Sequence, residues 1–242
     1  MAKQYSGAIF FGGCTLGCSY CQNAAISRTP IGAEMDSLAL RREMERLIAQ
    51  GAENIDLVTP TQYLPTILPA LEEKLPVPVI YNCGGYERIE TLQALRGKID
   101  IFLPDMKYAD NALSQALSGV KDYFSVAAQA LKEMVSLAGK LEYQGEILKK
   151  GVVVRHLILP GQVENSLKVL DFLGENFAPD EILVSLMRQY TPMPGMNAPY
   201  DRPITQQEYD SVLSWMYLNN LNGMVQEQSA AHAQFIPDFM NK

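Results

Sequence analysis

The sequence lacks any apolar run of about 20 residues, the length that a helix needs to cross a membrane. It also lacks a secretory pattern of basic start, long apolar core and small-residue cleavage site. No internal repeat, low-complexity tract or linker interrupts its 242 residues. These absences predict a cytoplasmic protein with one domain, rather than a membrane-bound, secreted or multidomain protein.

An excess of basic residues is also absent. The chain has 20 Lys and Arg against 27 Asp and Glu, which gives a formal net charge of −7. A protein that binds the phosphate backbone over a broad surface is usually basic, so nucleic-acid binding is disfavoured. With 48% hydrophobic and 19% charged residues, the composition is that of an ordinary globular protein with a large core.

Cysteine is scarce as well, but it is clustered. Of the four cysteines, three lie in the run Cys14-Thr-Leu-Gly-Cys18-Ser-Tyr-Cys21, a C-x3-C-x2-C spacing just after an apolar segment. Because four cysteines make a poor disulfide scaffold in a chain of this size, we interpret the cluster as a ligand set. Three thiolates can hold three irons of a [4Fe–4S] cube and leave the fourth iron open to a small molecule.

Two other ligand sets stay open on the residues alone. A structural zinc site normally takes four ligands, and only Cys83, His156 and His232 could supply the fourth. None of these residues lies in a second ligand pair. A ferredoxin-type electron carrier usually needs a fourth nearby thiolate. A non-catalytic iron–sulfur or zinc protein is therefore the alternative from a different functional class.

Short apolar runs alternate with amphipathic stretches along the chain, as in a parallel α/β fold. The predicted strands are Gly7–Phe11, Ile55–Thr59, Val77–Asn82, Ile99–Leu103, Val152–Leu159 and Ile182–Met187. The predicted helices are Met35–Gln50 with Asp36 as N-cap, Glu87–Leu95, Asn165–Glu175, and one that begins at the capping box of Thr205. This order predicts a partial (β/α)6 TIM-like barrel with a parallel sheet.

Two segments depart from the alternation. Ala109–Lys140 is predicted to be an inserted helical segment between the fourth and fifth strands. Thr191–Pro203 contains four prolines and is predicted to be an extended loop. We therefore expect a barrel core over about 6–190, followed by this loop and a C-terminal helical extension over 191–242.

Polar residues follow every predicted strand, and parallel α/β folds bind ligands beyond the carboxyl ends of their strands. Arg155 lies inside an apolar run, where a buried arginine requires a carboxylate partner. His156 would then face the helical layer as a packing residue. The polar residues in or after these strands include Thr59, Thr61, Gln62, Asn82, Asp105, Lys107, Arg155 and Gln189.

The run from Ile9 to Asn23, with the aromatic Tyr20 before the last cysteine, resembles the radical S-adenosylmethionine enzymes. It is similar in particular to the pyruvate formate-lyase-activating-enzyme-like subgroup. Similar blocks are Leu57-Val-Thr-Pro-Thr-Gln-Tyr, Tyr81-Asn-Cys-Gly-Gly-Tyr, Leu103-Pro-Asp-Met-Lys and Val154-Arg-His-Leu-Ile-Leu-Pro-Gly.

The resemblance implies that Cys14, Cys18 and Cys21 bind a [4Fe–4S] cluster and form the catalytic centre. The amino and carboxylate groups of S-adenosylmethionine would chelate the open iron, and reductive cleavage would give a 5′-deoxyadenosyl radical that abstracts hydrogen from a substrate. An external electron donor of flavodoxin or ferredoxin type is implied. The implied partner is a glycyl-radical protein; modification of another protein or of a small metabolite is the alternative.

The resemblance also implies a set of cofactor-binding residues, namely Tyr20, Thr59, Thr61, Gln62, Asn82, Asp105, Lys107, Arg155 and Gln189. Thr59, Thr61 and Gln62 stand where the family often has a Gly-Gly-Glu motif, and they keep acceptor oxygens without its charge; a turn with an N-cap at Thr61 is the alternative. Asp105 and Lys107 resemble an Asp-x-Lys element of the activating enzymes. A surface salt bridge between them is the alternative interpretation. For three others, the resemblance implies positions near the ribose or a bound cation (Asn82), the cofactor carboxylate or ribose (Arg155), and the adenine or methionine moiety (Gln189).

Overall fold

A parallel sheet forms the frame of the protein. The computed structural model describes residues 5–29 and 31–225. The strands in these ranges are β1 (Tyr5–Phe10), β2 (Ala52–Val58), β3 (Val79–Cys83), β4 (Ile101–Pro104), β5 (Glu142–Gln144), β6 (Ile147–Leu157), β7 (Ile182–Met187) and β8 (Gly223–Val225). The sheet order is β1-β2-β3-β4-β6-β7-β8, with these neighbours all parallel, and β5 pairs antiparallel with the start of β6.

Helices cross over between successive parallel strands. They are α1 (Ala24–Ser27), α2 (Ser37–Ala49), α3 (Leu64–Ala70), α4 (Ile89–Ala94), α5 (Asn111–Ser118), α6 (Tyr123–Ala138), α7 (Val163–Asn176) and α8 (Gln206–Leu218), with a 3-10 turn at Thr61–Tyr63. Strand residues such as Leu57, Tyr81 and Val154 are fully buried and share one core with helix residues such as Met44 and Leu170. This architecture is a partial TIM-like barrel, which confirms the predicted fold class.

The six predicted strands are all present, but two short strands are added and the ends of every strand except Ile182–Met187 shift; the largest shift is at the start of β6. β6 begins at Ile147, five residues before the predicted start, because Lys149 and Lys150 interrupt the apolar pattern while their backbone pairs in a hairpin with β5. β8 adds a seventh parallel strand beside β7. With only three residues, β8 is too short to show a periodic pattern.

The predicted helix starts are present where a side chain caps the helix. Asp36 accepts a hydrogen bond from the Ala39 amide at 2.7 Å and starts α2. Thr205 and Glu208 form the predicted capping box, each accepting a hydrogen bond from the other's amide, and start α8.

The two departures from the alternation also take the predicted form. The segment 109–140 contains α5 and α6. The proline-rich loop has no regular secondary structure over 191–203. Hydrogen bonds hold it against the barrel: the buried Tyr190 hydroxyl donates to the Tyr200 carbonyl at 2.7 Å, and Gln162 Nε2 donates to the Tyr200 hydroxyl at 3.0 Å. Tyr190 therefore packs the loop against the strand ends.

The C-terminal extension is described only as far as 225. His232, one of the candidate zinc ligands, and the rest of the stretch 226–242 lie outside the described residues. Within the described ranges, no helix combines the length and the apolar character needed to span a membrane.

Candidate active site

A cavity of about 190 Å³ opens at the carboxyl ends of the parallel strands. Residues from five strand ends and from the cysteine loop line it. Those at the strand ends are Val58, Thr59, Asn82, Cys83, Gly84, Asp105, Lys107, Arg155, Leu157 and Met187. Those from the cysteine loop and the start of α1 are Cys14, Leu16, Cys18, Tyr20, Cys21, Gln22, Asn23 and Ser27. The cavity thus contains nine of the twelve residues predicted from the sequence.

The loop that carries the three cysteines is held by hydrogen bonds to its backbone. Gln62 Nε2 donates to the carbonyls of Gly12 and Gly13, at 3.0 Å each, and Tyr63 donates to that of Gly12 at 2.8 Å. Gly13 has φ +80°, a conformation that favours glycine, and its amide donates to the Ile26 carbonyl at 2.8 Å. Gln62 therefore supports the loop from outside the cavity.

Each of the three cysteines is a free thiol with its own hydrogen-bond partner. Cys14 Sγ accepts from the Leu16 amide at 3.4 Å, and Cys18 Sγ accepts from the Ser118 hydroxyl at 3.0 Å. Cys21 Sγ lies 3.4 Å from the hydroxyl of Ser27. Burial raises the pKa of the Cys14 thiol, so formation of the thiolate there requires compensating positive charge.

Asp105, Lys107 and Arg155 form a charged triad that lines the same cavity as the cysteines. Arg155 Nε lies 2.8 Å from Asp105 Oδ1, and Lys107 pairs with the second carboxylate oxygen. The Nε–H of Arg155 is not directed at Asp105, so at this atom the contact is an ion pair. The backbones are joined too, because the Met106 amide donates to the Arg155 carbonyl at 2.8 Å.

The charges of this triad stabilise one another. Burial alone would raise the pKa of Asp105, but Arg155 and Lys107 outweigh it and hold that pKa below its ordinary value. Burial likewise would lower the pKa of Lys107, and Asp105 outweighs it and raises that pKa. Asp105 and Lys107 are therefore both charged at neutral pH. With the guanidinium of Arg155, the triad adds a net charge of +1 to the cavity.

Asn82 lines the cavity, and its side-chain nitrogen contacts a second carboxylate. Asn82 Nδ2 donates to Asp56 Oδ2 at 3.2 Å, and Asp56 lies deeper on β2. Burial raises the pKa of Asp56, and its Oδ1 is buried with no hydrogen-bond partner among the described residues. Asp56 was not among the residues predicted from the sequence, although, like Arg155, it is a charged residue inside a predicted apolar strand.

Three predicted residues do not line the cavity. Besides Gln62, Thr61 donates to Glu87 Oε1 at 2.8 Å and accepts from the Tyr81 hydroxyl at 3.1 Å, in a buried cluster behind β3. Burial raises the pKa of Glu87 to about 7. Gln189 takes part through its backbone carbonyl, which accepts from Gln22 Nε2 at 2.9 Å. Thr59, by contrast, lines the cavity with a strained φ of +60°.

The candidates for a fourth zinc ligand within the described residues have other partners. His156 is fully buried, and its two ring nitrogens contact the Met106 carbonyl at 2.7 Å and the Ser166 hydroxyl at 2.8 Å. This is the packing role expected from the sequence. Burial and the Glu87 carboxylate raise the pKa of Cys83, so its thiol stays protonated. Among the described residues, no group of three or more His, Cys, Asp or Glu side chains is arranged to hold a single metal ion.

The turns after β3 and β4 approach so closely that only glycine fits at position 85. Gly85 has φ +80°, and a Cβ there would collide with the Asp105 carbonyl. Tyr123 joins the same two turns, since its hydroxyl lies 2.8 Å from the carbonyls of Gly84 and Asp105. The backbone position of the charged triad therefore depends on Gly85.

We expect Gly85→Ala to lower the free energy of unfolding by more than about 2 kcal/mol, because it combines a left-handed conformation with a backbone collision. Gly97→Ala is the matched control: its φ is +73°, but its Cβ would meet nothing within 4 Å. It should cost about 1 kcal/mol. Urea denaturation measures both, and equal losses in the two variants would contradict the steric explanation.

Comparison with known proteins places this geometry in a recognised fold. No protein-family profile matches the chain. An uncharacterized protein of Methanocaldococcus jannaschii is 29% identical over 233 residues, which cover 90% of this chain and 63% of that protein. The chain thus spans less than two thirds of this relative.

Solved structures share the architecture at low sequence identity. Streptococcus suis SuiB bound to its precursor peptide SuiA has a TM-score of 0.66 and 16% identity, covering 93% of this chain and 49% of SuiB. A radical SAM methyltransferase from Sphaerobacter thermophilus has a TM-score of 0.60 and 14% identity, covering 93% of this chain and 68% of that enzyme. The chain therefore shares the partial-barrel fold of these two solved proteins.

Proposed function

We propose that this protein is a radical S-adenosylmethionine enzyme with one active site in the strand-end cavity. The observation that carries the proposal is that three free cysteines and the charged triad line the same cavity, in a protein with the appropriate fold. The three-thiol donor set fits a [4Fe–4S] cluster with one iron free of protein ligands. We propose that one domain holds this site, and that the protein is cytoplasmic.

In this proposal the cofactors supply the reactive groups, and the residues of the chain bind them and supply the charges around them. When bound, a reduced [4Fe–4S] cluster supplies the electron that cleaves S-adenosylmethionine to methionine and a 5′-deoxyadenosyl radical, which abstracts hydrogen from the substrate. Cys14, Cys18 and Cys21 would hold the cluster. The thiolates need compensating positive charge, and Lys107, which lines the same cavity, supplies part of it.

The remaining lining residues suit the polar groups of S-adenosylmethionine. Arg155 carries a positive charge for the methionine carboxylate, and Asp105 orients it through their ion pair. Asn82 offers an amide oxygen to a hydroxyl donor such as the ribose, because its nitrogen is bound to Asp56. Tyr20 contributes an aromatic ring to the same cavity.

For the substrate, we propose a glycyl-radical protein, with an electron donor of flavodoxin or ferredoxin type. The support is the likeness of four sequence blocks to the activating enzymes. SuiB, which shares the fold, is solved with a precursor peptide and also with S-adenosylmethionine. A different protein or a small metabolite is the alternative substrate class. A glycyl-radical signal in a partner protein after turnover would favour a glycyl-radical protein as the substrate. Turnover without such a signal would favour a different protein or a small metabolite.

The proposed function is tested by anaerobic reconstitution with iron and sulfide, followed by dithionite and S-adenosylmethionine. We expect about four irons per chain, and release of 5′-deoxyadenosine and methionine in equal amounts. An iron-loaded protein that releases neither product, even with candidate partners, would support a non-catalytic iron–sulfur protein. Stoichiometric zinc without iron would support the structural zinc site.

A further inference from the structure

A chain of three buried hydroxyl groups ends on one of the three clustered cysteines. The Ser118 hydroxyl donates to Cys18 Sγ at 3.0 Å. Tyr108 lies 2.7 Å from the Ser118 hydroxyl, and Tyr20 lies 2.7 Å from the Tyr108 hydroxyl. All four residues are buried, with exposed fractions of 0–9%. Cys14 and Cys21 receive no comparable chain within the described residues.

The direction of these hydrogen bonds is fixed by their last acceptor. A metal-bound thiolate has no proton to donate, so Ser118 must use its only proton on Cys18. Ser118 can then only accept from Tyr108, and Tyr108 can only accept from Tyr20. The three O–H dipoles therefore align toward Cys18, in an interior where hydrogen bonds are electrostatically stronger than in water and reinforce one another.

The inserted helical segment supplies the group that contacts the cysteine. Ser118 is the last residue of α5, and the preceding residue also contacts the loop: the Leu117 carbonyl accepts from the Ser19 amide at 2.8 Å. Ser118 and Cys18 are 100 residues apart in sequence. The insertion thus provides a fixed donor for a cysteine on a different element.

We propose that the chain Tyr20–Tyr108–Ser118 raises the reduction potential of the cluster by stabilising negative charge on the Cys18 thiolate. This inference rests on the proposed function, because it requires a cluster on Cys18. One-electron reduction adds negative charge that the cluster shares with its thiolate ligands, so a donor to sulfur favours the reduced state. Ser118 is a positioning residue in this sense, since it acts on the cluster through Cys18.

The test is a redox titration of the reconstituted protein, followed by the electron paramagnetic resonance signal of the reduced cluster. In Ser118→Ala, we expect the ratio of reduced to oxidised cluster at a fixed potential to fall about tenfold, a shift of about 59 mV to lower potential for a one-electron couple. Tyr108→Phe removes the donor to Ser118 and should shift the potential in the same direction by a smaller amount.

Ser114→Ala is the matched control. Ser114 lies one turn earlier on α5, is equally buried, and directs its hydroxyl to the backbone carbonyls of Asn111 and Val120 instead of to sulfur. The reduction potential of the cluster in the Ser114→Ala variant should equal that in the wild type. Equal potentials in Ser118→Ala, Tyr108→Phe and Ser114→Ala would overturn the inference and leave the proposed function intact.

Two further outcomes distinguish a failure of the proposed function from a failure of the inference about the hydroxyl chain. A wild-type protein that binds no cluster would defeat the proposed function, and this inference with it. If Ser118→Ala does not fold, Tyr108→Phe decides alone: a lowered potential supports the hydroxyl chain, and an unchanged one overturns it.

Discussion

Replacing Cys18 with alanine is expected to abolish cluster binding and 5′-deoxyadenosine formation together, with product at least about 100-fold below the wild type. The physical reason is that a cube with three protein ligands has no spare thiolate to replace the one that is lost. Iron content, the visible absorption of the cluster and product release by the reconstituted variant measure the effect.

Cys83→Ala is the control for the Cys18 substitution. Cys83 lines the same cavity, but burial and the neighbouring Glu87 carboxylate keep its thiol protonated. We expect Cys83→Ala to keep both the cluster and cleavage. A Cys18→Ala variant with normal iron and cleavage, or a Cys83→Ala variant that loses both, would assign the ligands to a different set of cysteines.

Asp105→Asn is expected to have the second large effect, on stability and on cleavage. The substitution leaves Arg155 and Lys107 as two adjacent cations without their shared counter-charge. Since these groups are partly exposed, we expect a loss of about 2–4 kcal/mol in the free energy of unfolding, somewhat below that of a fully buried pair. Cleavage of S-adenosylmethionine should fall about 100-fold, because Arg155 loses the carboxylate that orients it.

The pH dependence of stability gives an independent check on Asp105. Its pKa is lower in the folded protein than its ordinary value of 3.8, so its stabilising contribution is present above about pH 4 and is lost as the pH falls through the lowered folded value. The Asp105→Asn variant should lack this component of acid destabilisation. Urea denaturation of wild type and variant between pH 7 and acidic pH measures the difference.

Asp180→Asn is the matched control for the ion pair. Asp180 pairs with Lys140 at the surface, where both side chains are more than half exposed. Removing an exposed pair changes stability little. Similar stability losses in the two Asn variants, or full cleavage activity in Asp105→Asn, would contradict the role given to the triad.

The sequence was sufficient where the determining interactions are local. The N-cap at Asp36, the capping box at Thr205, the alternation of strands and helices, and the C-x3-C-x2-C spacing all depend on residues within a few positions of one another. They predicted the parallel fold, the inserted helices and the loop that carries Cys14, Cys18 and Cys21. Arg155 could be predicted to need a carboxylate, because an arginine inside an apolar strand is costly without one.

The remaining features depend on contacts between distant residues. The side chain of Thr61 points to Glu87 instead of the cavity, and Gln62 binds the loop backbone; only the packing of β2 and β3 decides this. The contacts of Asp56 with Asn82 and of Ser118 with Cys18 link residues 26 and 100 positions apart. No local pattern marks such pairs, so the contact of Asp56 with Asn82 and the hydroxyl chain emerge only from the three-dimensional arrangement.

The most direct test of the central claim is the electron paramagnetic resonance spectrum of the reduced, reconstituted protein with and without S-adenosylmethionine. If Cys14, Cys18 and Cys21 leave one iron open, the spectrum should be that of a reduced [4Fe–4S] cluster, and its g-values should change when S-adenosylmethionine binds that iron. Identical spectra with and without S-adenosylmethionine at saturating concentration, or a protein that takes up zinc and no iron, would contradict it.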